Sequence, residues 1–372
     1  MDDNLLYRLA FASVRGMNVT LGRELLRICG SEREFFELSE TRLRDLTQSA
    51  DAPIYAKTYR DAKLRAAETE LLFVRSRSVA IRYFTDPDFP QRLLNCEDAP
   101  VLLYGSGDAD LNRGHMIGIV GTRHATAYGI DFTRQLVGDL ARQIETPVII
   151  SGLAYGIDIA AHRAALAAGI PTVAVMATGI STIYPADHRS AAVDIVRNGG
   201  MLLTEYTSKD YVHKGNFVAR NRIVAGLSDC LVVSESASKG GALITANLAA
   251  GYNRDVFALP GRVADRYSAG CNRLIASSVA QLVTSANDVI NAMGWPRLAD
   301  PDAINHLALP LPLNPDEDLI VKFLEQNEDA TLSQLTAASG LSVAKLMSML
   351  IDMEFRGLLL SLPGARYRLM HN

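Results

Sequence analysis

The chain has 372 residues, 48% of them hydrophobic and 21% charged, the make-up of ordinary globular protein rather than of a disordered one. At about 150 residues per domain, that length holds two or three domains. A net charge of −4 argues against indiscriminate wrapping of duplex DNA, so any nucleic-acid site has to be a local basic patch on a mildly acidic body.

Residues 1–75 read as a helical domain. Leu5, Leu6, Leu9 and Ala10 recur at helical spacing until Gly16, and Leu21, Leu25, Leu26 and Ile28 mark a second helix ending at Gly30. Ser31 and Ser39 are placed to cap two further short helices. The arrangement resembles small SAM-like or helix-hairpin-helix modules, and a packing role is favoured over DNA contact. Residues 76–295 form the central domain. Its first stretch is rich in turn formers, as in Asp86-Pro87-Asp88 and Gly105-Ser106-Gly107. Short apolar runs follow at Met116–Val120, Pro147–Ile150, Thr172–Met176, Met201–Leu203, Cys230–Val233 and Val256–Leu259. Helical segments separate them at Asp131–Gln143, Ile157–Ala168, Ala191–Asn198, Ala219–Leu227 and Leu243–Gly251. Continuous apolar strands divided by amphipathic helices predict an extended Rossmann-like α/β fold, doubly wound on a mostly parallel sheet, with ligands beyond the carboxyl ends of the strands. Residues 296–315 carry five prolines and read as a linker. Residues 316–372 have the order of a winged helix: helices at Asp316–Gln326, Thr331–Ser339 and Ser342–Phe355, then two strands, Leu358–Leu362 and Tyr367–Met370. Thr331 and Ser342 serve as N-caps and Gly340 as a helix stop. Leu313–Asn372 holds five basic against eight acidic residues, a local charge of −3. A major-groove reader brings several basic and amide side chains, so a protein-interaction or regulatory role is expected here.

Several chemistries find no support. Cys29, Cys96, Cys230 and Cys271 form no Cys-x-x-Cys pair, which fits buried free thiols of a reducing compartment better than zinc or disulfides. The seven histidines do not cluster at metal spacings, no Gly-Lys dipeptide opens a Walker A loop, and no dinucleotide fingerprint or nucleophile elbow occurs. Neither metal nor cofactor nor catalytic residue is expected. The N-terminus has no basic signal region and the apolar runs are strand-sized, so a cytoplasmic protein without membrane contact is expected.

Four features at strand ends suit phosphate. Gly121-Thr122-Arg123 follows a strand and precedes a helix starting near Tyr128; amides, a hydroxyl and a guanidinium would cradle an anion, although a structural turn explains it equally well. Ser151-Gly152 opens a second glycine-rich turn, in which Gly156 and Asp158 read as structural. The third feature is Lys214, Phe217, Arg220, Asn221 and Arg222. From Glu205 to Ala225 four cations oppose two carboxylates, a local +2, and cations around an aromatic suit single-stranded nucleic acid. Capping of the following helix is an equal reading for Asn221. The fourth is Ser238-Lys239-Gly240, again a turn into a helix. One mononucleotide needs one or two such turns, whereas a row of four suits a polyphosphate chain.

In this order the segments resemble the DprA (Smf) family of DNA-processing proteins. The resemblance covers about residues 80–290. It rests on Ile119-Val-Gly-Thr-Arg123, Ser151-Gly-Leu-Ala-Tyr-Gly-Ile-Asp158, Tyr184-Pro185, Phe217-x-x-Arg-Asn-Arg222, Leu243-Ile-Thr-Ala246, Ala258-Leu-Pro-Gly261 and Gly270-Cys-Asn-Arg-Leu-Ile275. It implies a SAM-like domain, a Rossmann-like domain and a C-terminal winged helix. It further implies a homodimer that binds and protects incoming single-stranded DNA during natural transformation and loads RecA recombinase while displacing single-strand-binding protein. By match, Arg123, Lys214 and Phe217 would touch DNA, with Ser151 and Gly152 nearby. The family has proline where Val218 stands and a serine-containing run where Gly240-Gly241-Ala242 stands, which bears on loop geometry. The competing reading is a nucleotide-processing enzyme of a related fold, for which Glu205 and Glu235 are the only carboxylates at suitable strand ends.

Overall fold

Turn chemistry sets the N-terminal helices α1 (Asp3–Ala12), α2 (Val19–Cys29), α3 (Glu32–Glu37), α4 (Glu40–Thr47) and α5 (Lys57–Ser76). Gly30 stops α2 at φ 94°, and the Ser31 and Ser39 hydroxyls accept from the Glu34 and Arg42 amides at 3.2 Å each. Buried Arg60 donates to the carbonyls of Phe35, Phe36 and Leu38 at 2.6–2.8 Å, satisfying the end of α3 without a carboxylate. The computed structural model describes residues 3–47, 52–298, 313–327, 329–356, 358–362 and 365–369, in two units, Met1–Leu298 and Ala299–Asn372. Most of the expected linker, residues 299–312, lies outside the described residues.

The first unit is built on a nine-stranded sheet. Its strands are β1 (Ala80–Tyr83), β2 (Leu102–Gly107), β3 (His115–Val120), β4 (Pro147–Ser151), β5 (Thr172–Val175), β6 (Met201–Thr204), β7 (Cys230–Val233), β8 (Asp255–Ala258) and β9 (Gln281–Leu282). Their order is β1-β2-β6-β5-β4-β3-β7-β8-β9. All pairs from β6 to β9 are parallel, as the apolar runs predict; β1 and β2 add an antiparallel edge that the turn-rich composition of that stretch conceals. The helices after α5 are α6 (Gln91–Leu94), α7 (Ala127–Gln143), α8 (Ile157–Ala167), α9 (Arg189–Arg197), α10 (Lys214–Leu227), α11 (Gly241–Gly251), α12 (Ala269–Ala276) and α13 (Ala286–Met293). Alternate residues of β3 to β8 feed cores on opposite faces of the sheet. Ile117, Ile149 and Val232 pack with Leu136 and Leu140 of α7 and with α8, whereas Met116, Val148 and Val173 share a continuous core with the N-terminal helices.

The second unit is a small winged helix: α14 (Pro315–Glu325), α15 (Leu332–Ser339), α16 (Val343–Phe355), and a three-stranded sheet of β10 (Ala330–Thr331), β12 (Arg366–Leu369) and β11 (Leu359–Leu362). Thr331 caps α15 in a capping box with Gln334, Gly340 ends it at φ 64°, and Ser342 caps α16. Ile320, Leu335, Leu346 and Leu350 form its core. Its cations are held internally: Lys345 by Asp316 at 2.6 Å, Arg356 by Glu317 at 2.7 Å, Arg366 by Asp329 at 2.6 Å and Lys322 by Asp318 at 2.7 Å.

Candidate nucleic-acid interface

Strands run outward from β3 in both directions, through β4 to β6 on one side and β7 to β9 on the other. The gap between β3 and β7 is therefore the topological switch point, where the loops leaving the two strands diverge. A cleft of about 530 Å³ opens there. It is lined by Gly121, Thr122 and Arg123 from the β3–α7 loop, Lys214, Phe217, Arg220 and Asn221 from α10, and Lys239 and Gly240 before α11.

The β3–α7 loop is held from below. Its Thr122 N–H donates to the Glu235 carbonyl at 2.7 Å, and a Cβ on Gly121 would stand 2.4 Å from Ile157 Cγ1, so only glycine lets β3 turn over α8. The Glu235 carboxylate, itself buried, accepts from the Thr126 amide at 2.8 Å and the Thr126 hydroxyl at 2.6 Å. It thus fills the α7 N-terminus from the turn after β7. The N-terminus of α7, expected from sequence to help hold a phosphate, is answered by the protein's own anion. At α11 the situation is opposite: its N-cap is exposed Gly240, with no side-chain cap, and Gly240 and Gly241 line the cleft.

Three cations reach the cleft from exposed positions: Arg123, Lys214 and Lys239. Among the described residues none of them makes an ion pair. The Arg123 guanidinium lies 5.5 Å from the centroid of the Phe217 ring, and Phe217 meets Tyr184 edge-on at 5.3 Å. Tyr184, 49% exposed, has no site role in the sequence reading; 33 positions separate it from Phe217 along the chain, and only the fold brings the rings together. Lys214 and Phe217 lie on α10, which starts five residues earlier than the apolar periodicity predicts. Their turn is exposed and so carries no core pattern, and the His213 ring nitrogen caps it by accepting from the Gly215 amide at 3.0 Å.

Four expected contacts are placed elsewhere. Ser151 is fully buried and its hydroxyl donates to the Ile119 carbonyl at 2.6 Å, so it braces β4 against β3 and offers nothing to a ligand. Gly152 lies beneath the Arg220 guanidinium, which a Cβ would meet at 2.6 Å. Arg222 is paired with Glu205, both largely buried. Exposed Ser238 lies outside the cleft lining. Arg220 lines the cleft but is only 4% exposed; it donates to the carbonyls of Gly152, at 2.6 Å, and Val175. It therefore rivets α10 to the ends of β4 and β5. Asn221 reaches the Gly241 carbonyl at 3.5 Å and so ties α10 to α11 instead of capping a helix.

The electrostatics beneath the cleft are structural. Burial pushes the Asp158 carboxyl up, against the pull of Arg220, and burial raises Glu205 against the pull of Arg222. Burial also lowers the His162 imidazole to about 3. Both carboxylates that the enzyme reading would use are thus committed, Glu235 to the α7 cap and Glu205 to Arg222. No cluster of His, Cys, Asp and Glu among the described residues is placed to hold a metal ion.

Comparison with known proteins agrees with this fold. The profile of the DNA recombination-mediator protein A family matches residues 80–294, and that of the DprA winged helix domain matches residues 306–365. The Smf protein of Synechocystis is 36% identical over 315 residues, spanning 76% of this chain and 78% of its own. The crystal structure of DNA processing protein A from Streptococcus pneumoniae superposes with a TM-score of 0.65 at 30% identity, covering 78% of this chain and 98% of that one. A structure of the Helicobacter pylori protein, described as giving insight into its single-stranded DNA binding mode, covers 57% of this chain and 95% of its own, with a TM-score of 0.51 at 31% identity. With both domains matched in order, the chain belongs to the DNA recombination-mediator protein A (DprA/Smf) family of DNA-processing proteins.

Proposed function

We propose that the cleft at the β3/β7 switch point binds single-stranded DNA without catalysis. The observation carrying this reading is the meeting of Arg123, Lys214 and Lys239, three cations without an ion pair among the described residues, with the Phe217–Tyr184 ring pair beside the uncapped N-terminus of α11. Cations track phosphates while an exposed ring stacks an unpaired base, which a duplex does not offer. Gly121, Thr122 and Gly240 line the same cleft. Within this reading the chain acts as a cytoplasmic homodimer that shields incoming DNA, displaces single-strand-binding protein and hands the strand to RecA recombinase.

The test is a salt titration of single-strand affinity. Arg123→Ala is expected to weaken binding across all sequences and to reduce the log–log salt slope by about 0.7, the value of one phosphate contact on a single strand. Its melting temperature should stay unchanged, because Arg123 is exposed and makes no ion pair among the described residues. Wild-type affinity and slope in this variant would remove the loop from the site. Loss of RecA loading on strands coated with single-strand-binding protein should accompany the loss of binding.

The winged helix takes no part in DNA binding in this reading, since its cations are spent on internal carboxylates. A chain ending at Leu298 should bind single strands within about twofold of the full chain, because no phosphate contact is lost. A tenfold loss would assign the module a DNA surface.

A further inference from the structure

Beside the cleft lies a second concave surface that neither the sequence reading nor the family resemblance assigns. It is a hollow of about 580 Å³ lined by Tyr128, Pro260, Gly261, Arg262 and Asp265, formed where α7 begins and the β8–α12 loop passes over it. Two arginines, Arg262 and Arg266, stand exposed on this loop. Among the described residues their guanidinium groups make no hydrogen bond or ion pair; Arg266 rests 5.6 Å from the centroid of the Tyr267 ring. Asp265 is the one carboxylate on residues 259–268 and leaves the loop net positive in an acidic chain. Around these cations stand Tyr128, 52% exposed, and the rings of Tyr267 and His124, nearly parallel at 27° and 6.3 Å apart.

Hydrogen bonds tie the loop over the hollow to the turn that lines the cleft. His124 directly follows cleft-lining Arg123, and its ring stacks on Tyr267 of the β8–α12 loop. The Ser236 amide donates to the Tyr267 carbonyl at 2.7 Å and the Gly270 amide to the Ser236 carbonyl at 2.8 Å, stapling the β8–α12 loop to the turn that carries Lys239 and Gly240. From below, Asn272 exchanges two side-chain hydrogen bonds with the Gly261 backbone, at 3.1 and 2.9 Å, and the Tyr128 hydroxyl donates to the Pro260 carbonyl at 2.8 Å. The cations therefore sit on a preorganised ledge.

Building on the reading of the cleft as a single-strand site, we infer that this ledge carries the strand onward. The path leaves the cleft past Arg123, crosses the His124–Tyr267 rings and meets Arg262 and Arg266. β8 lies two strands from β3, about 10 Å at sheet spacing, which is roughly three nucleotides at the stacked-base rise. The ledge thus adds about three nucleotides to the footprint and gives the strand two further phosphate contacts.

Affinity of the full chain for oligothymidylates of about 5 and about 15 nucleotides, lengths within the range one binding fold covers, tests this. The Arg262→Ala/Arg266→Ala variant should lose about tenfold on the longer strand and about 1.4 in its log–log salt slope, yet bind the shorter strand like wild type. The Arg262→Lys/Arg266→Lys variant should restore the slope. The ledge is ruled out if the alanine variant binds both lengths as wild type does, or loses both equally. Failure of the cleft reading has a separate signature, an Arg123→Ala variant that binds the shorter strand normally.

Discussion

Replacing Arg220 with alanine is expected to destabilise the first unit by about 3–5 kcal/mol, the cost of removing one member of a buried charged network. The Gly152 and Val175 carbonyls, at the ends of β4 and β5, lose their donor in a place water does not reach, at about 1–3 kcal/mol each. Asp158, buried close by, loses the cation that draws its pKa down. Differential scanning calorimetry should show a fall in Tm of order 10 °C, and single-strand binding should fall with it because the cleft floor is undone. Arg123→Ala separates the two roles, weakening binding at unchanged Tm. An Arg220→Ala protein that melts like wild type while losing DNA would make Arg220 a ligand contact and overturn its assignment as a rivet.

Acid should unfold the protein through His162. The Thr172 hydroxyl spends its proton on the Ile149 carbonyl at 2.8 Å, so at 2.7 Å from His162 Nδ1 it accepts, and the ring proton is on Nδ1. Nε2 is left buried without a partner, and protonating it would place a charge in a dry core already near Arg220 and His188. The folded pKa of about 3 lies below the ordinary 6.5. Above 6.5 both folded and unfolded chains hold a neutral ring and the stability is fully present. Between 6.5 and 3 only the unfolded chain takes the proton, so stability falls as pH falls, by about 2 kcal/mol at pH 5 and about 4–5 kcal/mol near pH 3. The raised pKa values of Asp158 and Glu205 act in the opposite sense, which makes a difference measurement the right one. Tm measured from pH 7.5 down to 5 should drop more steeply for wild type than for His162→Gln, which keeps a donor for Thr172 and cannot charge. Parallel curves would mean that His162 does not govern the acid limb.

The parallel strands were legible because each is a short apolar run flanked by turn residues, and burial on both faces demands that pattern. Caps were legible for the same local reason: Ser31, Thr331 and Ser342 act within three residues. What sequence conceals is partnership over distance. Arg220 and Arg222 look like solvent cations beside Lys214, yet one is consumed by carbonyls 68 and 45 positions away and the other by a carboxylate 17 positions away. β2 reads as turn because of Gly105-Ser106-Gly107, and becomes strand only by pairing with Leu202 and its neighbours on β6. Tyr184 is silent until Phe217 is brought beside it, and the α7 end looks open until Glu235 is seen to fill it.

That last feature bears on selectivity. A phosphate at a helix end is held by free amides and the helix dipole. At α7 that place is taken by the Glu235 carboxylate, anchored just beyond β7 and fixed by two hydrogen bonds to Thr126. A lone phosphate gains little at such a place, while a polymer can pass over it and collect contacts on either side. If the cleft binds a single strand as proposed, the filled α7 end makes its affinity respond to chain length.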